Sequence, residues 1–287
     1  MRRWYPIEGR WSNDDARPGL RVRRAPVALR LRGDEERRGG MRVARRPVRR
    51  SRADPSELLL LGGPRLRRAG VLVELPPVRW VALLAYLARG GGWVRRDALA
   101  ALFWPDHDDR GASLNLRQTL QTIARSSAGV ALEREATRVR WNGLCDVARF
   151  DACVRSQAWA SALECYRGPF LDGIELDDVV DVHEWIEAER VGLQARWRMA
   201  ALTLARAQLD AGRCFEALAL LERIVADDVF DEEALRAFLR AAVDCGDRTR
   251  AMRTLLSVRS TLARDVGVDV DDATLEVARD LGLRLDG

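Results

Sequence analysis

Lysine is absent from this chain of 287 residues, and asparagine and histidine are scarce. All 48 residues counted as Lys+Arg are therefore arginine, while histidine occurs only 2 times. We interpret this composition as the imprint of a GC-rich genome. The total number of arginines is then weak evidence for phosphate binding, and their distribution along the chain is more informative.

The 5 cysteines lack the spacing of zinc sites and of disulfide frameworks. No two of them form a C-x-x-C pair, and neither histidine belongs to a cysteine cluster. An odd number of scattered thiols is typical of a reducing compartment. We therefore expect a cytoplasmic protein without a zinc site or a disulfide framework.

Catalytic and cofactor-binding motifs are also missing. His183 and Glu184 lack the second histidine of an H-E-x-x-H zinc site, and the acidic run at residues 175–181 lacks the loop glycine of a calcium-binding EF-hand. No glycine run continues into the G-K-[ST] of a Walker A phosphate loop. We predict no catalytic residue, no metal and no cofactor.

Long apolar segments are absent as well. The longest apolar run beside a predicted helix, residues 81–88, is far shorter than the roughly 20 residues that a membrane span needs. Arg2 and Arg3 are not followed by the apolar segment of a signal peptide. The sequence therefore predicts neither membrane insertion nor a leader.

The charge is divided unevenly along the chain. Residues 1–54 contain 17 arginines and 7 acids, a net charge of +10, whereas residues 55–150 carry +5 and residues 151–287 carry −10. A basic front and an acidic back predict a nucleic-acid-binding part joined to a part that meets other partners.

The first 55 residues are rich in Arg, Gly and Pro and have little periodic apolar pattern. We interpret them as a disordered tail. Two explanations stay open for it: a basic tail that adds nonspecific DNA affinity, or an over-extended gene start with Met41 or a later codon as the true start.

Residues 109–126 form the stretch with the clearest functional pattern. On a helix, Ala112, Leu120 and Ile123 share the side of Leu116 and predict a buried stripe. The opposite side has no acid, and arginine, glutamine and leucine side chains can contact base edges in the major groove. Its members are Arg110, Leu114, Arg117, Gln118, Gln121, Thr122 and Arg125. Taken alone, such a stripe is more often a solvated surface.

The surrounding elements favour DNA binding over a solvated helix. Short β-type runs at residues 57–75 predict a small antiparallel sheet. Helices are expected at residues 78–88 and 95–104, and Asp108 and Asp109 are placed to cap the third helix.

A hairpin about residues 135–137 should follow the third helix. On its second strand Arg138 and Arg140 share one face, and Val139 and Trp141 share the other. Three helices closed by such a hairpin predict a winged helix-turn-helix, whose third helix lies in the major groove.

The acidic half has the pattern of helical repeats. Gly212 and Gly246 lie 34 residues apart, as do Ala217 and Ala251, and this period indicates tetratricopeptide-like helix pairs. The predicted fold class is mainly α, a winged helix followed by an all-α repeat domain. Repeat helices are expected near residues 147–157, 159–166, 182–211, 213–226, 232–245, 248–264 and 272–281.

Residues 58–125 resemble the OmpR-type DNA-binding domain of SARP-like regulators, most clearly in V-x-R-D-x-L-A-x-L-x-W from Val94 and LRQ-x-L from Leu116. Two positions depart from the family: Arg95 stands where Ser or Thr is common, and a late second arginine of the third helix is missing. LECYRGPFLDG from Leu163, HEWIEAER from His183 and RDVGVDVDDATLE from Arg264 resemble the bacterial transcriptional activator domain that follows in this family.

The resemblance implies a DNA-binding domain at residues 56–144 and an activator domain at residues 145–287. It further implies binding to direct repeats of double-stranded DNA as a head-to-tail homodimer, and recruitment of RNA polymerase. The loop at residues 105–109 and the activator domain are the expected polymerase contacts.

We predict a sequence-specific transcriptional activator. Arg117, Gln118 and Gln121 would read bases, and Leu114 would contact a thymine methyl group. Phosphate or minor-groove contacts are expected from Arg110, Arg125, Arg138 and Arg140. The alternative is a helical-repeat module that binds proteins or senses a ligand, with the winged helix as a docking surface.

Overall fold

The computed structural model describes residues 55–283, which form seven strands and ten α-helices. The predicted disordered tail at residues 1–55 lies, apart from Pro55, outside the described residues. The prediction of a mainly helical fold with a winged helix followed by a repeat domain is confirmed.

A sheet of four strands opens the described chain. Its antiparallel part consists of β1 (Glu57–Leu59), β2 (Arg65–Arg68) and β3 (Val71–Glu74). Ala69 and Gly70 turn the chain between β2 and β3, and both have positive φ angles, of 48° and 76°. The predicted antiparallel sheet acquires a parallel fourth strand, β7 (Leu144–Cys145), which pairs with β1.

Three helices and a second sheet complete the winged helix: α1 (Arg79–Gly90), α2 (Arg96–Phe103), α3 (Asp109–Arg125), β4 (Val94–Arg95), β5 (Leu132–Arg134) and β6 (Arg138–Trp141). The strands β5 and β6 form the predicted hairpin, and β4 pairs with β6. Their core is apolar, because the inward faces of the three helices carry leucine, alanine and aromatic side chains.

The start of the second helix differs from the prediction by one residue. Arg95 was expected inside the helix, but it is extended and pairs with Arg138 across the sheet. A two-residue strand has no periodic pattern of its own, and only its partner β6 stabilises it.

The acidic half consists of seven helices: α4 (Asp146–Arg155), α5 (Trp159–Cys165), α6 (Val180–Asp210), α7 (Cys214–Asp227), α8 (Glu232–Asp244), α9 (Arg248–Asp265) and α10 (Asp272–Asp280). Each begins and ends within two residues of its predicted bounds. From α4 to α9 each helix packs on the next, and α10 packs on α8, so the expected stack of helix pairs is confirmed.

Asp146 connects the strand β1 to the first helix of the repeat domain. Its carboxylate accepts hydrogen bonds from the backbone N–H of Leu60 at 2.8 Å and of Leu61 at 3.2 Å, and from Arg167 at 2.9 Å. The side chain is completely buried. This burial raises the pKa of the Asp146 carboxyl above its ordinary value, although its hydrogen-bond donors act in the opposite direction.

The helix α1 packs against the long helix α6. Tyr86 meets Trp185 edge to face, with 5.1 Å between the ring centroids. At the end of α1, Arg89 contacts Asp151 at 3.0 Å and Glu189 at 2.9 Å. Aromatic packing and ion pairs therefore hold the winged helix directly against the repeat helices.

The expectation of no disulfide is wrong for one pair of cysteines. Cys214 and Cys245 form a disulfide with a Cα–Cα distance of 5.9 Å. Cys214 begins α7 and Cys245 follows α8, and the antiparallel packing of these two helices brings the two ends together. This contact depends on how the two helices stack, and the spacing of cysteines in the sequence contains no information about stacking.

None of the helices within residues 55–283 combines the length and the apolar character required to cross a bilayer.

Candidate nucleic-acid interface

The helix α3 has one buried side and one exposed side, as the sequence predicts. Ala112, Leu116, Leu120 and Ile123 are its buried residues. The start of the helix is capped by Asp108, whose carboxylate accepts a hydrogen bond from the Gly111 N–H at 2.8 Å. The exposed side carries all the candidates that the sequence placed on this helix: Arg110, Leu114, Arg117, Gln118, Gln121 and Arg125.

A depression of about 530 Å³ lies between the first half of α3, the start of α2 and the turn of the hairpin. Arg110, Leu114 and Arg117 line it, together with Arg96 from α2 and Ala136 from the hairpin turn. The structure thus brings three of the predicted residues into one concave surface. Gln118, Gln121 and Arg125 are exposed outside it.

The charge of this depression is not neutralised by neighbouring acids. Within the described part of the chain, Arg96, Arg110 and Arg117 form no ion pair with a carboxylate. Most other arginines of the winged helix are paired, among them Arg67 with Glu57 and Arg95 with Asp97. Three guanidinium groups without acidic partners therefore give this concavity a surplus of positive charge.

Arg96 was not predicted as a site residue, although it stands in the V-x-R-D motif. Its Nε is buried and has no hydrogen-bond partner among residues 55–283. The backbone N–H of Arg96 donates to Thr137 in the hairpin turn at 2.9 Å, which holds the start of α2 next to the wing. The sequence contained one indication that Arg96 belongs to the site. It is a second arginine beside Arg95, at the predicted start of a helix within the V-x-R-D motif.

The hairpin arginines, Arg138 and Arg140, share one face of β6 and make contacts there that the sequence did not predict. Their guanidinium groups lie over the ring of Trp93, at 4.7 Å for Arg138 and 4.6 Å for Arg140. Each also contacts an acid of its own hairpin, Arg138 with Glu135 at 2.6 Å and Arg140 with Glu133 at 2.7 Å. They do not line the depression beside α3.

The ion pair at the hairpin turn shifts the pKa of both groups. The hydrogen bond from Arg138 holds the pKa of the Glu135 carboxyl below its ordinary value and raises the pKa of Arg138. At neutral pH both groups are charged, so each cancels part of the field of the other. The wing therefore presents less free positive charge than its count of arginines suggests.

Comparison with known proteins follows the same division of the chain. Residues 143–281 match the family model of the bacterial transcriptional activator domain. The chain carries that domain. Among solved structures, it is similar to Mycobacterium tuberculosis EmbR in complex with a low affinity phosphopeptide, with 22% identity and a TM-score of 0.55. No curated protein matches the sequence significantly.

The likeness to the EmbR structure covers 81% of this chain and 66% of that one, so the chain spans about two thirds of its length. At this identity it concerns the fold, a winged helix followed by the helices of a bacterial transcriptional activator domain. With the domain match, it confirms the predicted resemblance to SARP-like regulators. The domain match begins at residue 143, beside the short strand β7.

Two sequence motifs of the bacterial transcriptional activator domain have clear structural roles here. Arg190, in the HEWIEAER stretch, donates hydrogen bonds to the carbonyls of Phe170, Leu171 and Ile174, which belong to or follow the LECYRGPFLDG stretch. Leu61 of the winged helix forms a β-bridge with Phe170. The two motifs therefore build the loop on which the winged helix rests.

Proposed function

We propose that this protein, which carries a bacterial transcriptional activator domain, binds specific double-stranded DNA through α3. One observation carries the proposal: Arg96, Arg110 and Arg117 surround a concave surface beside the wing without acidic partners among residues 55–283. Phosphate groups of DNA are the anions that such a surface fits, because guanidinium groups bind them with paired hydrogen bonds.

The roles of the side chains follow from their place on α3. Arg110, Leu114, Arg117 and Gln121 recur at spacings of four, three and four residues and so form one stripe. Arg117 and Gln121, with Gln118 beside them, are proposed to read base edges, and Leu114 to contact a thymine methyl group. Arg110 at the start of the helix, Arg125 at its end, and Arg96 are assigned to phosphates.

We further propose a division of labour between residues 56–144 as the DNA-binding domain and residues 145–287 as the activator domain. Binding to direct repeats as a homodimer and recruitment of RNA polymerase belong to the same proposal and rest on the family resemblance. The exposed segment at residues 105–109, which leads into α3, is the polymerase contact proposed in the winged helix.

The proposal is tested by measuring the affinity of the full chain for promoter fragments and for bulk DNA over a salt series. Affinity should fall as salt rises, and at least one fragment should be preferred. Arg117→Ala should reduce discrimination at the contacted base by about 1–3 kcal/mol. Arg96→Ala should lower the affinity for all fragments about equally. The salt dependence should then correspond to about one fewer counterion released on binding.

Arg206→Ala is the matched control, because Arg206 is an exposed arginine of α6 with its side chain 80% accessible. This substitution removes one positive charge outside the proposed interface. The discrimination between fragments and the salt dependence of the affinity should therefore both stay nearly unchanged. The proposal fails if no fragment is preferred over bulk DNA and Arg117→Ala has no more effect than Arg206→Ala. The interaction-module interpretation would then replace it.

A further inference from the structure

The disulfide between Cys214 and Cys245 joins two neighbouring turns of the helical stack. Cys214 follows the turn at residues 211–213 that connects α6 to α7, and Cys245 lies in the turn that connects α8 to α9. The Cα–Cα distance of 5.9 Å is within the usual range for a bridged pair. The packing of the helices holds the two cysteines at bridging distance.

The paired cysteines are less buried than two of the other three. Cys214 and Cys245 are half-buried. Cys145 is buried, and burial raises the pKa of its thiol to about 12, which keeps it protonated. Cys165 is also buried, and burial raises its thiol pKa above the ordinary value. Cys153 is half-buried and free, which makes it a natural reference thiol.

The two paired cysteines stand at opposite ends of their helices. Cys214 is the first residue of α7, so the positive end of the helix favours its thiolate, while Glu216 in the same turn acts against it. Cys245 follows the last residue of α8, Asp244, at the negative end of that helix. The surroundings make Cys214 the better nucleophile of the pair.

The bridge is not needed to hold the core of this helix pair. Ala217, Leu218 and Leu221 of α7 are buried, as are Phe238 and Ala242 of α8, and the two helices pack closely on each other. A bond between partly exposed cysteines that is asymmetric in its electrostatics and additional to a packed interface has the properties of a reversible redox pair.

We propose that Cys214 and Cys245 form a thiol–disulfide site that is oxidised by a peroxide and reduced by a low-molecular-weight thiol. The Cys214 thiolate attacks one peroxide oxygen, the O–O bond breaks, and the departing oxygen takes up a proton. The resulting sulfenic acid is attacked by the Cys245 sulfur, which forms the S–S bond and releases water. In sum, two thiols lose two electrons and two protons, and the peroxide is reduced to water and an alcohol or to two waters.

Reduction reverses the bridge in two exchange steps. One external thiolate attacks a sulfur of the bridge and forms a mixed disulfide, and a second releases it as the oxidised low-molecular-weight disulfide. The consequence for the protein is local: the bridge ties the α6–α7 turn to the α8–α9 turn, and reduction removes this tie while the packing of α7 on α8 remains. This inference does not depend on DNA binding.

The test uses the full chain, hydrogen peroxide, and alkylation of free thiols read peptide by peptide by mass spectrometry. Peroxide should remove the Cys214 and Cys245 labels together, and dithiothreitol should restore both without unfolding, while Cys153 changes at least about tenfold more slowly. In Cys245→Ser, a sulfenic-acid probe should label Cys214 about tenfold more than it labels Cys245 in Cys214→Ser.

Circular dichroism of both serine variants checks that the helices remain folded, and hydrogen exchange of the wild type should slow in the two turns on oxidation. Three results would each overturn the proposal: a bridge that dithiothreitol does not reduce in the folded protein, which would make it a fixed crosslink; cysteines that stay labelled in peroxide; or equal trapping of sulfenic acid at both positions.

Discussion

At the scale of single residues, the wing shows how neighbouring acids control the charge that an arginine can offer to a ligand. Arg138 and Arg140 lie over Trp93 and contact Glu135 and Glu133. Of these two acids, only Glu135, the partner of Arg138, lies in the exposed turn of the hairpin. This turn is the part of the wing that would approach a phosphate. A phosphate must therefore compete with Glu135 for this guanidinium.

Glu135→Gln should consequently strengthen DNA binding. Removal of the carboxylate frees Arg138 for a phosphate, so affinity should rise and the salt dependence should steepen by about 0.9 in log–log slope. Glu184→Gln on α6 is the control, because it changes the net charge equally on an exposed surface outside the proposed interface. Equal effects of the two substitutions would show that net charge alone is responsible and that Arg138 does not contact DNA.

At the scale of elements, α3 illustrates a helix whose start is determined by one side chain. Asp108 accepts the Gly111 N–H, and Asp109 adds a second negative charge in the first turn. Asp108→Ala should lower the stability by about 1 kcal/mol, which corresponds to about 2–4 °C in Tm for a chain of this size. Thermal melts of Asp108→Ala and Asp108→Asn separate the loss of the capping hydrogen bond from the loss of the negative charge. Asparagine keeps an accepting oxygen, so the Tm of Asp108→Asn should stay near that of the wild type. A similar loss in both variants would mean that the charge is responsible.

The elements also show which parts of the fold are predictable from sequence and why. The stripe of Leu116, Leu120 and Ile123 repeats at the period of a helix, so both faces of α3 follow from local pattern. The strand β4 has two residues and exists only through its pairing with β6. The contact of Arg138 with Trp93 joins residues 45 positions apart in the numbering, and the disulfide depends on how two turns stack. Local periodicity contains no information about such contacts.

At the scale of the whole molecule, the winged helix and the activator domain are connected by a buried polar contact as well as by apolar packing. Asp146 accepts the N–H groups of Leu60 and Leu61, which directly follow β1, and contacts Arg167. Aromatic packing of Tyr86 on Trp185 lies at another part of the same boundary. Any signal between the two domains must pass through a boundary of this kind, which is packed and hydrogen-bonded rather than flexible.

Asp146→Asn is expected to loosen this boundary. The amide nitrogen would face a donor instead of accepting from it, so the free energy of unfolding should fall by about 2 kcal/mol at neutral pH, and the Leu60 and Leu61 amides should exchange faster. Asp177→Asn, at a carboxylate 81% exposed, should change stability by less than about 0.5 kcal/mol. A variant that unfolds like the wild type, with unchanged exchange at these amides, would contradict this role.

The pH dependence gives an independent check on Asp146. Burial raises its folded-state pKa above the unfolded value, so the folded protein binds the proton more tightly than the unfolded chain does. The stabilisation that comes from protonation is complete below the unfolded pKa and is lost as the pH rises through the folded pKa. The stability of the wild type relative to Asp146→Asn should therefore increase as the pH is lowered from neutrality toward about 4. Denaturant titrations of both proteins over this range measure the difference directly; a difference that shrinks on acidification would mean that hydrogen bonds to the carboxylate outweigh its burial.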